Sequence, residues 1–169
     1  LTHPAAVHLA RFSPDGRHAV TVTEYMDHTV RIWDSLTGRE RTPPVRMSEA
    51  VSHAEFSPDG LKVLTACDDG RAHIWDAETG EASAETMLHR DEVTSASFSP
   101  DGHRVLTSSA DGTVRLWDAD TGRPLIEPLQ HARIVRTAEF SGDGHRVVTA
   151  SDDGMARIWE VPPAPTPMP

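Results

Sequence analysis

Short runs of small and β-branched apolar residues alternate along this chain with clusters of Ser, Pro, Asp and Gly. Val93 to Phe98 is one such run, halted by Ser99-Pro100-Asp101-Gly102. There proline presets φ, aspartate bonds back to the backbone and glycine accepts φ > 0, so the segment predicts a hairpin turn. Arg104 to Ser109 is a second run, stopped by Asp111-Gly112, a strong short hairpin signal. Thr113 to Trp117 predicts a third strand, ended by Asp118-Ala119-Asp120-Thr121-Gly122. Pro124 to Leu129 predicts a fourth, whose proline suits a sheet edge where one N–H is not needed. No run follows the helical period, so the pattern predicts a four-stranded antiparallel meander.

The meander recurs. Phe-Ser-Pro-Asp-Gly stands at Phe12, Phe56 and Phe98 and returns as Phe-Ser-Gly-Asp-Gly at Phe140. Trp33, Trp75, Trp117 and Trp159 fall 42 residues apart and account for every tryptophan in the chain. The repeats divide as 1–44, 45–86, 87–128 and 129–161. A sheet this small cannot bury both faces alone, but copies stacked around an axis cover one another, which is the logic of a β-propeller. A two-sheet sandwich would not need so regular a recurrence. The expected fold is all-β: four tandem four-stranded antiparallel blades forming part of a propeller, as a half-ring or a fragment of a seven- or eight-bladed ring.

These residues closely resemble the WD-repeat β-propeller family, of bacterial type with 42-residue blades, over residues 1–161. The resemblance rests on the Trp-Asp dipeptide, the Asp-Gly turn and a His about 28 residues before each Trp. It implies a buried hydrogen-bonded tetrad of His, Ser or Thr, Asp and Trp in each blade. Matched by spacing, the sets are His3, Thr21, Asp27, Trp33; then Thr65, Asp69, Trp75; then His89, Thr107, Asp111, Trp117; and His131, Thr149, Asp153, Trp159. The second set has Met47 where His is expected, which leaves Asp69 short of a partner. A His-Asp-Thr set repeated in every blade reads as structure, because an active site is normally built once.

Composition narrows the function. The net charge is −10, spread along the chain, and 15 of the 16 basic residues are Arg. That balance argues against nucleic acid, which requires clustered cations to neutralise phosphates. No stretch approaches the roughly 20 apolar residues that cross a bilayer. One cysteine, Cys67, cannot form an internal disulfide and reads as a small strand residue. His18, His103 and His145 sit beside the Asp-Gly turn as solvated strand starts, and no histidine has metal-like spacing with Asp, Glu or Cys. No phosphate loop or nucleophile elbow appears. The expectation is a non-enzyme without metal or cofactor.

By the resemblance, a protein or peptide docks on the face carrying the tetrad loops. The residues displayed there would be His8 and Met26 in the first blade and Ser52 and Asp68 in the second, with Ala6 and Ala50 beside them. The third and fourth would show Glu92, Thr94, Ile134, Arg136 and Asp152, with Ala110. Tyr25, the chain's one tyrosine, sits in an enlarged first-blade loop, and tyrosine is enriched at interface hot spots. Function is therefore expected to be that of a scaffold, with an accessory module of a larger bacterial kinase- or protease-linked enzyme as the alternative. The proline-rich stretch 162–169 reads as a disordered tail or linker, so the fourth blade would lack its outer strand. Two open flanks then imply association, including a homodimer completing an eight-bladed ring.

Overall fold

The computed structural model describes residues 1–23 and 27–163; Tyr25, Met26 and the stretch 164–169, on which expectations were placed, lie outside the described residues. Local chemistry closes the turns. The Ser13 hydroxyl donates to the Asp15 carboxylate at 2.6 Å, the Arg17 N–H donates to it at 3.0 Å, and Gly16 takes φ +70°. The aspartate of each Trp-Asp dipeptide locks the next turn: Asp118 accepts the backbone N–H and the hydroxyl of Thr121 at 2.8 and 2.7 Å. Strand runs between such locked turns have little choice but to pair with their sequence neighbours.

Four antiparallel sheets result. The first contains β1 (Val7–Phe12), β2 (His18–Thr23), β3 (Thr29–Asp34) and β4 (Val45–Arg46). The second contains β5 (Val51–Phe56), β6 (Lys62–Cys67), β7 (Arg71–Asp76) and β8 (Met87–Leu88). The third contains β9 (Val93–Phe98), β10 (Arg104–Ser109), β11 (Thr113–Asp118) and β12 (Leu129–Gln130). The fourth has three strands among the described residues, β13 (Val135–Phe140), β14 (Arg146–Ser151) and β15 (Ala156–Glu160). This is the all-β, blade-by-blade architecture of a propeller segment.

The outer strands differ from their sequence reading. Instead of one strand over Pro124–Leu129, the chain makes a single bridge at Trp117↔Pro124 and then pairs only Leu129–Gln130. The second sheet breaks in the same way, with a bridge at Trp75↔Ala82 and pairing only at Met87–Leu88, although its stretch 82–88 contains no proline, so the break belongs to the blade and not to Pro124 and Pro128. The outer strands also fall two residues past the repeat divisions at 44, 86 and 128, because Val45, Met87 and Leu129 still pair with the preceding sheet. Pro162 departs from the expected disorder, since its carbonyl accepts the Arg104 guanidinium at 2.6 Å.

The core lies between sheets. Val63 and Leu64 are neighbours on β6 and point to opposite faces, as strand geometry requires. Val63, Ala54 and Phe56 pack back on Val20, Val22 and Ile32, while Leu64 and Ile74 pack forward on Val93 and Phe98. Leu106 and Leu116 repeat the forward contact against Val135, Val147 and Phe140. Full burial of each such side chain contributes about 1.5–3 kcal/mol. At the two ends the same positions are uncovered: Phe12 is 71% exposed and Ile158 is 71% exposed.

Candidate functional site

The tetrad residues occupy the joint between strand ladder and loop. In the third sheet the Trp117 indole N–H donates to Thr107 Oγ1 at 2.8 Å, and Thr107 Oγ1 lies 2.7 Å from His89 Nε2. His89 Nδ1 stands 3.2 Å from the Asp111 carboxylate. A carboxylate can only accept, so Nδ1 carries the proton and Nε2 accepts from the threonine. The order of donation is Trp to Thr to His to Asp. Burial holds the His89 imidazole down at about 4, against the pull of the Asp111 charge and its hydrogen bond. Burial also pushes Asp111 up, but the N–H of Arg90 and the hydroxyl and N–H of Thr113 outweigh it and bring the carboxyl to about 2.

The fourth sheet repeats the arrangement: Trp159 to Thr149 at 3.0 Å, Thr149 to His131 at 2.8 Å and His131 to Asp153 at 2.9 Å. Arg157 adds a bond to Asp153 at 3.0 Å. In the first sheet Trp33 and His3 both meet Thr21 Oγ1 at 2.7 Å. No hydrogen bond joins the described residues His3 and Asp27; Asp27 accepts Thr23 and Thr29 hydroxyls at 3.1 and 2.6 Å instead. The second sheet keeps Trp75 to Thr65 at 2.9 Å. The expectation that Asp69 lacks a partner is corrected here: Ser48 Oγ donates at 2.5 Å, and the Arg71 N–H and guanidinium donate at 3.0 Å. Ser48 follows Met47 directly, so its hydroxyl was available in the sequence once histidine was seen to be missing.

The tetrad geometry carries a pH consequence. Unfolded, His89 protonates near 6.5; folded, it resists until about 4. Between those values the unfolded chain binds a proton that the folded chain refuses, so stability falls as pH falls, by about tenfold in the unfolding constant per pH unit. Denaturant titrations between pH 7 and pH 4.5 should show this slope, and a His89→Asn chain should lose one proton of it. An unchanged slope in that variant would remove His89 from the account.

The side chains expected on the loop face are set by the same frame. Backbone bonds tie them in pairs: the N–H of Asp68 to Ala50, of Ala110 to Glu92 and of Asp152 to Ile134, at 2.9, 3.0 and 2.9 Å. Ser52 and Thr94 turn sideways, donating to the carbonyls of Val93 and Val135 on the next sheet at 2.7 and 2.6 Å. Arg136 forms a two-pronged pair with Asp152 at 2.9 and 2.5 Å. Glu92 is half-buried.

A groove of about 350 Å³ opens where the first two sheets meet, and it gathers His8, Thr23, His28, Ala50, Ser52 and Asp68. His8 and Asp68 are exposed. His28 has φ +38°, the one positive φ outside glycine among the described residues. Repeat spacing does not single out His28, whose place depends on the first-blade insertion, which has no counterpart in the other repeats. Away from this face, Cys67 is buried, and burial followed by the charges of Asp69 and Asp68 pushes its thiol up to about 12. His18 begins β2 and meets Arg41 at 2.9 Å, one repeat position later than His103 and His145, which precede their strands and are exposed.

The WD40 family model (WD domain, G-beta repeat) matches residues 1–34, 44–76, 83–118 and 122–160. Coronin-7 of Mus musculus is 35% identical over 68 residues, covering 40% of this chain and 7% of that protein. Coronin-7 of Homo sapiens is 33% identical over 69 residues, 41% of this chain and again 7% of its own length. Among solved structures, the crystal structure of the computationally designed Ika4 protein superposes with a TM-score of 0.83 at 26% identity, covering 95% of this chain and 94% of that one.

Proposed function

Because the chain belongs to the WD domain, G-beta repeat family, we propose that it is a non-catalytic scaffold whose loop face receives an extended segment of a partner protein. The groove at the first sheet junction carries this reading. It combines apolar walls from Ala50 and Val51 with three convergent polar groups, His8, His28 and Asp68. Sites of that make-up suit a side chain with an aliphatic stem and a polar head. The exposed Asp68 carboxylate and the net charge of −10 favour a basic head, Lys or Arg, and speed its approach. The tetrads support the role from beneath: they hold the loop backbones without offering a reacting group to solvent, since the His89 and His131 side chains are fully buried. The Arg-, Ala- and Pro-rich composition supports a bacterial source, and the 42-residue tryptophan spacing supports blades of that length.

Selection from a displayed peptide library tests the proposal. Enriched sequences should carry Lys or Arg, and Asp68→Ala should weaken their binding by about tenfold or more, the usual value of a charge-assisted bond. His8→Ala should weaken it less, and Glu127→Ala, on the outer edge, should leave it unchanged. No enrichment, or enrichment indifferent to Asp68→Ala and His8→Ala, would overturn the groove as the docking site.

A further inference from the structure

At two of the three junctions between sheets, a cation from one sheet reaches across to the next; at the first junction it does not. His18, Lys62 and Arg104 open the second strands of the first three sheets, paired with Asp34, Asp76 and Asp118. Lys62 Nζ crosses to the third sheet, donating to the Ala119 carbonyl at 3.2 Å and to the Asp120 carboxylate at 2.5 Å. Arg104 crosses to the fourth, donating to the Pro162 carbonyl at 2.6 Å. Ala77, Ala119 and Val161 hold one repeat position, each giving its N–H to the turn before, at Leu61, His103 and His145. Glu78, Asp120 and Pro162 hold the next.

Ala77 and Glu78 are therefore the receiving groups of the first junction, and His18 stands where lysine or arginine stands in the others. Its side chain is shorter, and no hydrogen bond joins it to Ala77 or Glu78 among the described residues. In place of the crossing cation a hollow of about 300 Å³ gathers His18, Arg41, Leu61, Asp76, Ala77 and Glu78.

Of the two carboxylates only one is available. Asp76 accepts the N–H groups of Glu78 and Thr79 at 2.9 and 2.8 Å and the Thr79 hydroxyl at 3.1 Å. Glu78 meets only Arg41, at 3.5 Å with its side chain 81% exposed, and an ion pair in such surroundings contributes little. Arg41 is also drawn aside, donating to His18 Nε2 at 2.9 Å. Leu61 adds an exposed apolar surface, where the other sheets place Arg17, His103 and His145.

We propose that this hollow receives a primary ammonium on an alkyl stem, held as the third sheet holds Lys62. The ammonium donates to the Ala77 carbonyl and the Glu78 carboxylate, and the stem lies on Leu61. His18 begins β2 and Thr23, which lines the loop-face groove, ends it, so the two openings lie at opposite ends of the first junction. The inference is independent of what that groove binds.

Butylammonium, titrated at pH 7 and fixed ionic strength, is the probe. It should shift the amide resonances of Ala77 and Glu78 with a dissociation constant on the order of 1 mM, within reach of so small a ligand. Tetramethylammonium, with the same charge and no N–H, should not. Glu78→Gln should weaken binding about tenfold, and Arg41→Ala should tighten it by removing the competing cation. His18→Lys should abolish it by filling the hollow from within, and should raise Tm. Asp68→Ala, in the loop-face groove, should leave it unchanged. Absence of binding, equal shifts with tetramethylammonium, binding indifferent to Glu78→Gln or His18→Lys, or weaker binding in Arg41→Ala would each overturn the proposal. Nα-acetyl-lysine methylamide and spermidine separate the sources: whichever loses more affinity in Glu78→Gln identifies a protein lysine or a free polyamine as the occupant, and binding of neither overturns the site.

Discussion

Replacing Thr107 by valine is expected to destabilise the chain by about 4 kcal/mol, and the same change at Thr65 by only about 1–2 kcal/mol. Valine has nearly the shape of threonine, so neither substitution opens a cavity and the difference isolates the hydroxyl. Thr107 Oγ1 sits at the centre of the third tetrad, accepting from Trp117 at 2.8 Å and donating to His89 at 2.7 Å. Its loss strands an indole N–H and an imidazole nitrogen in a buried site. Each orphaned group costs about 1–3 kcal/mol, and the two costs fall together because no water reaches either. At Thr65 there is no histidine to strand; the hydroxyl serves only Trp75, at 2.9 Å, and Trp75 is half-buried, so solvent replaces part of the loss. Urea titrations of the two single variants would measure the gap. Equal losses at Thr107 and Thr65 would mean that the tetrad histidine contributes nothing.

That contrast marks how far the sequence could be read. Turn positions were legible because Pro, Asp and Gly act within a few residues of themselves, and the Ser13–Asp15 and Asp118–Thr121 locks are local chemistry. The repeat spacing gave four units, and their faces followed from strand alternation. Reading failed where a polar group has a partner that repeat spacing does not identify. The Ser52 and Thr94 hydroxyls looked available to a partner, yet both reach across to carbonyls 41 residues later. Asp69 looked deprived without a histidine, yet Ser48 and Arg71 reach it. Spacing identifies equivalent positions but not which of two polar neighbours wins a lone pair. Outer strands failed for a third reason: Trp33, Trp75 and Trp117 each make one isolated bridge, at Glu40, Ala82 and Pro124, before the short paired segment. Nothing in composition distinguishes a bridge from a strand.

The same dependence on neighbours gives the largest single-residue effect expected here. Gly38, Gly80 and Gly122 occupy one position of the Thr-Gly turn with φ +68°, +74° and +75°, so backbone conformation alone would charge an alanine about 1 kcal/mol at any of them. Their surroundings differ. At Gly38 the nearest atom to an added Cβ is the Leu1 side chain at 3.9 Å, an ordinary contact. At Gly80 it is Thr42 Cβ at 3.1 Å, which must give slightly. At Gly122 the Cβ runs into the backbone of Glu85, with its N and C at 2.9 and 2.8 Å and its carbonyl oxygen nearer still. Glu85 cannot retreat cheaply, because its N–H donates to the Thr121 carbonyl at 3.0 Å and so clamps the second sheet's return loop over the third sheet's turn. Gly122→Ala should therefore cost about 5 kcal/mol, with Gly80→Ala between it and Gly38→Ala at about 1 kcal/mol. Thermal and urea unfolding of the three variants would rank them. If Gly122→Ala proved no worse than Gly38→Ala, the loop would not press on that turn, and the close fit between second and third sheets would have to be abandoned.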